Sequence, residues 1–305
     1  MHIFLVSRLL QAVLVLVGVL FIAFSLLLLT GDPARVMVPP EAGEEAVDRV
    51  RKALGLDQPI PMQFLRFLGG AMYGDFGRSL RFGEPAAKLV FERFPATLEL
   101  TFAAMAITLI FSCLFGIISA VKRNTLADHL VMVTALVGQS MPVFWLGIMG
   151  ILIFGVHLRW LPTSGRGGIE HLILPAITLG AFGMARTTRL IRSGMLEVLG
   201  QDYIQTARAK GLTETLVVGK HALRNASISV ATIIGLDFGA LLGGAVITET
   251  VFAWPGVGRL AIESIYYRDF PVVQADVFYV ASTFVLVNLF VDLLYTWLDP
   301  RIRFR

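Results

Sequence analysis

Few residues in this chain are able to do chemistry, and the ones that stand out lie in apolar surroundings. Asp237 occupies the middle of a long apolar run, and Gln139 and Ser140 lie beside Pro142 in another. An ionisable group at such a position is costly and usually faces a cavity or a charged partner. Two interpretations of Asp237 follow: it meets a cationic part of a solute, or it pairs with a polar group on a neighbouring helix.

The sequence shows no catalytic or metal-binding arrangement. Its five histidines are scattered, and its one cysteine, Cys113, lies in an apolar run as a packing residue. We find no Ser-His-Asp set, no paired carboxylates and no nucleic-acid-binding module. A Gly-x-x-x-x-Gly-Lys-Ser/Thr phosphate loop is also missing, so the chain does not bind ATP in that way. We therefore predict a non-catalytic chain with no metal or cofactor of its own.

A charged insert, residues 202–224, separates two long apolar segments. It is predicted to form two short helices hinged at Gly211, because glycine suits the left-handed conformation that ends a helix. Thr213 is placed to cap the second helix. The small side chains of Ala207 and Ala209 would let another surface approach closely. The insert is either an ordinary basic loop beside a membrane or a docking surface.

The composition indicates a membrane protein. The chain is 56% hydrophobic and 16% charged, whereas soluble domains carry about 25% charged residues. Only helices satisfy their backbone within one apolar segment, so the predicted fold is an all-α bundle of six transmembrane helices. The predicted segments cover about residues 9–29, 100–121, 130–158, 172–193, 226–252 and 276–298.

Basic residues set the predicted orientation. They cluster at one end of the segments, which the positive-inside rule assigns to the cytoplasm. The short outer connections hold only Arg159, Arg166, Arg259 and Arg268, so both termini are predicted to be cytoplasmic. The residues assigned to the cytoplasmic side are Arg8, Lys122, Arg123, Arg186, Arg189, Arg192, Arg208, Lys210, Lys220, Arg224, Arg301, Arg303 and Arg305.

The whole chain, residues 1–305, is predicted to be one transmembrane domain, with a cytoplasmic loop at 194–225 and an outer cap at 30–96. Helical spacing over Glu44 to Leu54, followed by Gly55, predicts one cap helix, and residues 62–72 predict another. The cap either packs on the bundle or helps to receive a partner. Residues 253–275, which include Trp254, Tyr266 and Tyr267, are predicted as an aromatic belt in preference to a docking site.

Residues 197–230 resemble the EAA loop of ABC importer permeases, in the form found in the dipeptide/oligopeptide/nickel branch. That form reads Tyr-x-x-Thr-Ala-Arg-Ala-Lys-Gly followed by His-Ala-Leu-Arg-Asn-Ala, here Tyr203, 206–211 and 221–226. The chain departs from the general Glu-Ala-Ala motif, because Gln205 stands at the position of the glutamate. Further segments resemble the same branch in order and spacing: 31–34, 54–59, 74–77, 95–100, 140–142, 161–162, 252–259 and 299–303.

The resemblance implies a mechanism and a set of partners. Such a permease pairs with a homologous second permease subunit in a bacterial inner membrane, with the translocation path between them. Two cytoplasmic ATPase subunits, which hold ATP and Mg, clamp the coupling helices, and a periplasmic or extracellular binding protein delivers a peptide substrate. Asp237, Gln139 and Ser140 are expected to line the path. The expected ATPase-coupling residues are Thr206, Ala207, Arg208, Ala209, Lys210, Gly211, Leu212, Thr213 and Glu214.

Other functions remain open at this point. The same architecture would serve nickel chelates or glutathione-like solutes. A stand-alone secondary transporter would predict an internal repeat with paired broken helices, and no convincing repeat is visible. An intramembrane enzyme would require a second catalytic group to accompany Asp237.

Overall fold

The computed structural model describes residues 2–29, 33–36, 38 and 43–298. All regular elements within these ranges are helices, so the predicted all-α class is confirmed. The predictions on residues 31–32 and 299–305 lie outside the described residues. The helices are α1 (His2–Leu29), α2 (Pro33–Val36), α3 (Gly43–Leu54), α4 (Ile60–Met72), α5 (Ala86–Val121), α6 (Leu126–Ser140), α7 (Val143–Gly150), α8 (Ile169–Leu199), α9 (Asp202–Ala209), α10 (Glu214–Leu216), α11 (Leu223–Val251), α12 (Val257–Tyr266) and α13 (Phe270–Leu298).

Three stretches of helix are long and apolar enough to cross a membrane: Val6–Leu26, Ala86–Val121 and Phe270–Val291. α6 and the following helical stretch, Val143–His157, pass the same test together as a bent pair. The described residues therefore hold up to four such spans. α8 covers the predicted fourth segment as a continuous helix but does not meet the same criteria, and α11 covers the predicted fifth segment as far as Val251. The count of six crossings stays a prediction.

The predicted third segment, 130–158, is two helices and not one. α6 ends at Ser140, α7 begins at Val143, and the chain bends by 107° between them. Pro142 has no N–H with which to continue the helix. Met141 is extended (φ −85°, ψ 134°), as a residue before proline usually is. A kink at Pro142 was foreseeable from the sequence, but not a bend this large.

Other boundaries differ from the prediction by several residues. α5 begins at Ala86, so residues 86–96 of the predicted cap belong to a long helix that continues through Pro95. α8 extends past its predicted end at Ser193 as far as Leu199. α13 begins at Phe270, six residues before its predicted start at 276. The two helices predicted at 44–54 and 62–72 are present as α3 and α4, and the outer cap that they were predicted to form stays a prediction.

The chain divides into two compact units. Among the described residues, one unit comprises those up to residue 95 together with 256–289, and the other comprises 96–255 and 290–298. In the described part of the first unit, Phe76 packs on Phe278 and Tyr279, with ring centroids 5.2 and 5.7 Å apart. The buried Asp269 carboxylate accepts hydrogen bonds from the Ser79 hydroxyl and from the Leu80 N–H, the latter at 3.0 Å. These contacts fix the loop between α4 and α5.

In the second unit, α5 and α8 cross at very short range. A Cβ added to Gly116 or to Gly180 would lie under 3.0 Å from atoms of the opposing helix. Beside these glycines the Thr108 hydroxyl donates to the main-chain oxygen of Gly180 (3.1 Å), and the Ser112 hydroxyl donates to that of Met184 (3.0 Å). Small residues and hydroxyl-to-backbone bonds are the usual means of helix association in membranes. α8 is therefore fixed against α5 along its length.

Candidate functional site

The turn at Gly211 is a Schellman motif. α9 ends at Ala209, and Gly211 is left-handed with φ +78°. Its N–H donates to the oxygen of Arg208 (2.9 Å), and the Leu212 N–H donates to that of Ala207 (3.4 Å). This pair of bonds defines the motif and satisfies carbonyls at the end of the helix. The predicted left-handed helix end at Gly211 is confirmed.

One side of α9 is buried within the chain. Ile204 is fully buried and Ala207 is 8% exposed, and both belong to an apolar cluster with Ile191 and Met195 of α8 and with Val217. Ala207 was expected to leave room for another surface, but it faces inward. Its small size lets α9 lie close to the rest of the chain, so Ala207 positions the turn and is not part of the turn's exposed surface.

The residues around the turn are exposed, and we call residues 205, 206 and 208–216 the turn surface. Arg208 and Glu214 join its two sides through an ion pair with Nε and Oε1 2.7 Å apart. Thr213 has the backbone of a capping residue, but its side chain makes no capping hydrogen bond. The predicted second helix is not separate either, because α10 continues through a π-helix, Val217–Ala222, directly into α11.

Asp237 is buried and paired. Its carboxylate accepts a hydrogen bond from Nη2 of Arg186 and a longer one, 3.4 Å, from the Thr187 hydroxyl. The side chain of Asp237 is 9% exposed and that of Arg186 is 42% exposed. Both line a pocket of about 160 Å³, together with Gly183 and Phe182 of α8. Of the two interpretations made from the sequence, the pairing is present, and contact with a solute stays a proposal.

Gln139 and Ser140 are also engaged. The Gln139 side-chain oxygen accepts a hydrogen bond from Arg189 of α8. The Ser140 hydroxyl donates to the main-chain oxygen of Leu136 in its own helix (2.9 Å). A hydroxyl bonded to the main-chain oxygen of the preceding turn often bends its helix, and it has less freedom to bind elsewhere.

A third arginine of α8 makes the most complete contact. Nε and Nη2 of Arg192 donate to the two carboxylate oxygens of Asp128, each at 2.8 Å. Asp128 also accepts from the Ser119 hydroxyl of α5 and from the Asn124 N–H (2.9 Å). Its side chain is only 4% exposed.

Sequence reasoning missed this row of arginines. Arg186, Arg189 and Arg192 follow one another at three-residue intervals, so they lie on one side of α8. Their spacing inside an otherwise apolar segment was a usable signal. They were interpreted only as charges that set the orientation in the membrane, whereas each holds a different partner on α6 or α11.

Trp254 does not fit the predicted aromatic belt. Tyr266 and Tyr267 are exposed, but Trp254 is fully buried and donates its indole N–H to the main-chain oxygen of Ala96 (2.8 Å). Glu249, near the end of α11, is also fully buried and accepts a 2.6 Å hydrogen bond from the Thr97 hydroxyl. Trp254 therefore belongs to the core of the second unit and not to an interfacial belt.

These features define a class of protein: a helical membrane subunit that presents a short exposed helix-turn between two bundle helices. Residues 112–304 match the family described as binding-protein-dependent transport system inner membrane component, and residues 1–101 match its N-terminal model. The chain belongs to this family. It is a permease subunit of an ABC importer of the dipeptide/oligopeptide branch, a multi-pass protein of a bacterial inner membrane.

Two relatives match nearly the whole chain. The glutathione transport system permease protein GsiC of Escherichia coli K12 is 47% identical over 278 residues, which is 91% of either chain. The dipeptide transport system permease protein DppB of Alkalihalophilus pseudofirmus is 43% identical over 326 residues, covering 97% of this chain and 98% of its own.

Solved structures show the same fold at low sequence identity. A subunit of the methionine ABC transporter MetNI in an inward-facing conformation has a TM-score of 0.59 at 19% identity, covering 69% of this chain and 96% of its own. An amino acid ABC transporter has a TM-score of 0.51 at 18% identity, and the match covers 70% of this chain and 94% of the transporter chain.

The row of arginines gives a prediction about stability. Arg186→Ala leaves the buried Asp237 carboxylate without its charged partner. We expect a loss of about 3 kcal/mol, the low end for a broken buried pair because Arg186 is 42% exposed. Arg189→Ala is the matched control, since it removes an equal side chain from a neutral amide. The midpoint of thermal unfolding of each purified variant in detergent measures the difference, and equal losses would contradict the assignment.

Proposed function

We propose that this chain forms one half of the translocation path of an importer for dipeptides and oligopeptides. A homologous second permease subunit forms the other half, and two cytoplasmic ATPase subunits, holding ATP and Mg, drive transport. A periplasmic or extracellular binding protein delivers the solute. The chain crosses the membrane six times with both termini in the cytoplasm, so the turn surface faces the ATPases.

The turn surface is the observation that carries this proposal. It combines an exposed basic and polar face with a buried anchor, Ile204 and Ala207, that fixes the turn to α8. A surface that transmits force needs both properties, because a loosely tethered loop would absorb the movement of its partner. Thr206, Arg208, Lys210 and Glu214 present the polar groups.

Glutathione is the second candidate solute. It is itself a small peptide, and the relative named as a glutathione permease is 47% identical, against 43% for the dipeptide relative. Asp237, Gln139 and Ser140 are proposed to border the path, with the charge of Asp237 balanced by Arg186.

Uptake measurements test the choice of solute. Cells lacking this chain, with and without its return on a plasmid, are given a labelled dipeptide, labelled glutathione or a nickel chelate in parallel. We expect the plasmid to restore dipeptide uptake. Restoration of glutathione or nickel uptake alone would replace the proposed solute, and restoration of none of them would contradict import of this class of solute.

Gly211→Val should uncouple the ATPases from transport. A β-branched residue in the left-handed conformation is strained by about 1–2 kcal/mol, and no atom lies within 4 Å of the added Cβ, so the strain comes from the backbone alone. Gly211→Asn should retain most activity because asparagine tolerates this conformation. Gly219→Val, also in open space but without a left-handed backbone, is the control. Uptake and ATP hydrolysis measured together in proteoliposomes give the result, and full coupling in Gly211→Val would remove this account of the turn.

Asp237→Asn should reduce uptake while the complex still assembles. The double variant Asp237→Asn with Arg186→Gln separates the two roles of the carboxylate, because it removes both charges and leaves no unpaired ion. If Asp237 acts on the solute, uptake stays low in the double variant. Recovery of uptake in the double variant would mean that Asp237 serves only to pair with Arg186.

A further inference from the structure

We propose that Asp128 and Arg192 are positioning residues that transmit movement of the turn surface to α6. The inference rests on the proposed function, since it assumes that ATPase subunits move α9. After the ATPases have docked and moved α9, this pair makes α6, and with it the bend at Pro142, move together with α9.

The Asp128 carboxylate joins several segments at one point. It lies in the first turn of α6 and accepts hydrogen bonds from Ser119 near the end of α5, from the Asn124 N–H in the connecting turn, and from Arg192 of α8. Asn124 has φ +61°, so the connecting turn is tight and its backbone is held by the carboxylate. A single side chain therefore fixes the α5–α6 turn to α8.

The same part of α8 also holds α9. Ile191 and Met195, one residue before and three residues after Arg192, are at most 1% exposed and pack with Ile204 and Ala207. α8 thus carries the anchor of the turn surface and the tie to α6 within about one helical turn. A displacement of α9 therefore reaches the part of α8 that carries Arg192 through these buried apolar contacts.

The form of the contact makes Arg192 different from the other two arginines. Arg189 bonds a neutral amide, and Arg186 bonds a single oxygen of Asp237. Arg192 instead uses two nitrogens on two oxygens, and a bidentate pair of this kind fixes the relative angle of its partners as well as their distance. This fork therefore holds α6 at one angle to α8.

The test measures whether the α5–α6 turn and α9 move as one body. The assembled importer is placed in nanodiscs with Cys113 replaced by Ala, and spin labels are attached at Arg123→Cys and Gln201→Cys. Both positions are exposed and lie outside the turn surface. Distances are measured without nucleotide and after trapping with ATP and vanadate. We expect the wild-type distance to be narrowly distributed and the same in both states.

The decisive variant is Asp128→Asn with Arg192→Met, because it removes both charges of the buried pair and leaves an amide oxygen that can still accept a hydrogen bond from the α5–α6 turn. We expect this variant to assemble with the normal amount of ATPase subunits. The distance between the labels should be broadly distributed and should shift on trapping. Uptake of a labelled dipeptide should fall about fivefold or more below wild type, since fivefold is the lower end of the usual coupling between two sites. If the double variant does not assemble, Arg192→Lys takes its place, because lysine keeps the positive charge but cannot form the two-nitrogen contact. We expect it to broaden the distance in the same way.

Two outcomes would overturn the inference alone. One is a wild-type distance that changes on trapping, which would mean that α9 and the α5–α6 turn move separately. The other is an assembled double variant, or Arg192→Lys in its place, with the narrow wild-type distance in both states. Absence of ATPase subunits from the wild-type preparation would instead overturn the proposed function and, with it, this inference.

Discussion

A charged side chain on a helix packed among apolar helices must find a partner, and this requirement organises the second unit of the chain. α8 carries three arginines on one side, and each is bonded to a different residue. Arg186 bonds Asp237 of α11, whereas Arg189 and Arg192 bond Gln139 and Asp128 of α6, respectively. Isolated ions in such surroundings are costly, so each pairing fixes which helix faces meet. α8 is consequently the element to which its neighbours are attached.

The remaining contacts of α8 are consistent with this role. Glycines at the crossing with α5 let two backbones approach closely, and hydroxyl groups bond directly to main-chain oxygens there. At its other end, α8 buries the inner face of α9 and leaves the turn surface exposed. A rigid helix with an exposed docking element at one end and charged ties along its side is suited to transmit a rigid-body movement.

The sequence was sufficient for features set by local chemistry. The helical class, the two helices α3 and α4, and the left-handed Gly211 follow from periodicity, composition and the conformational freedom of glycine, and the family follows from motifs in their order. Features that depend on which distant residues meet were not predictable. Arg186 and Asp237 are 51 residues apart, and nothing local to either one indicates its partner.

The same reasoning explains the predictions that were wrong. Trp254 lies in a stretch that resembles an interfacial belt, but its burial depends on where Ala96 of α5 lies. Ala207 is small enough for a docking surface and equally small enough for close packing, and only the path of α8 decides between them. At Pro142 the chemistry of proline predicts a break in the helix, whereas the 107° bend depends on the contacts of the two flanking helices.

The most direct test of the account is photo-cross-linking from the turn surface in the assembled importer. A photoreactive amino acid replaces Lys210, which is exposed beside Gly211, and in a control it replaces the exposed Arg159, assigned to the opposite side of the membrane. The account predicts a cross-link to an ATPase subunit from position 210 and none from position 159. No ATPase cross-link from position 210, or one of equal yield from position 159, would contradict the claim that the turn surface docks the ATPases.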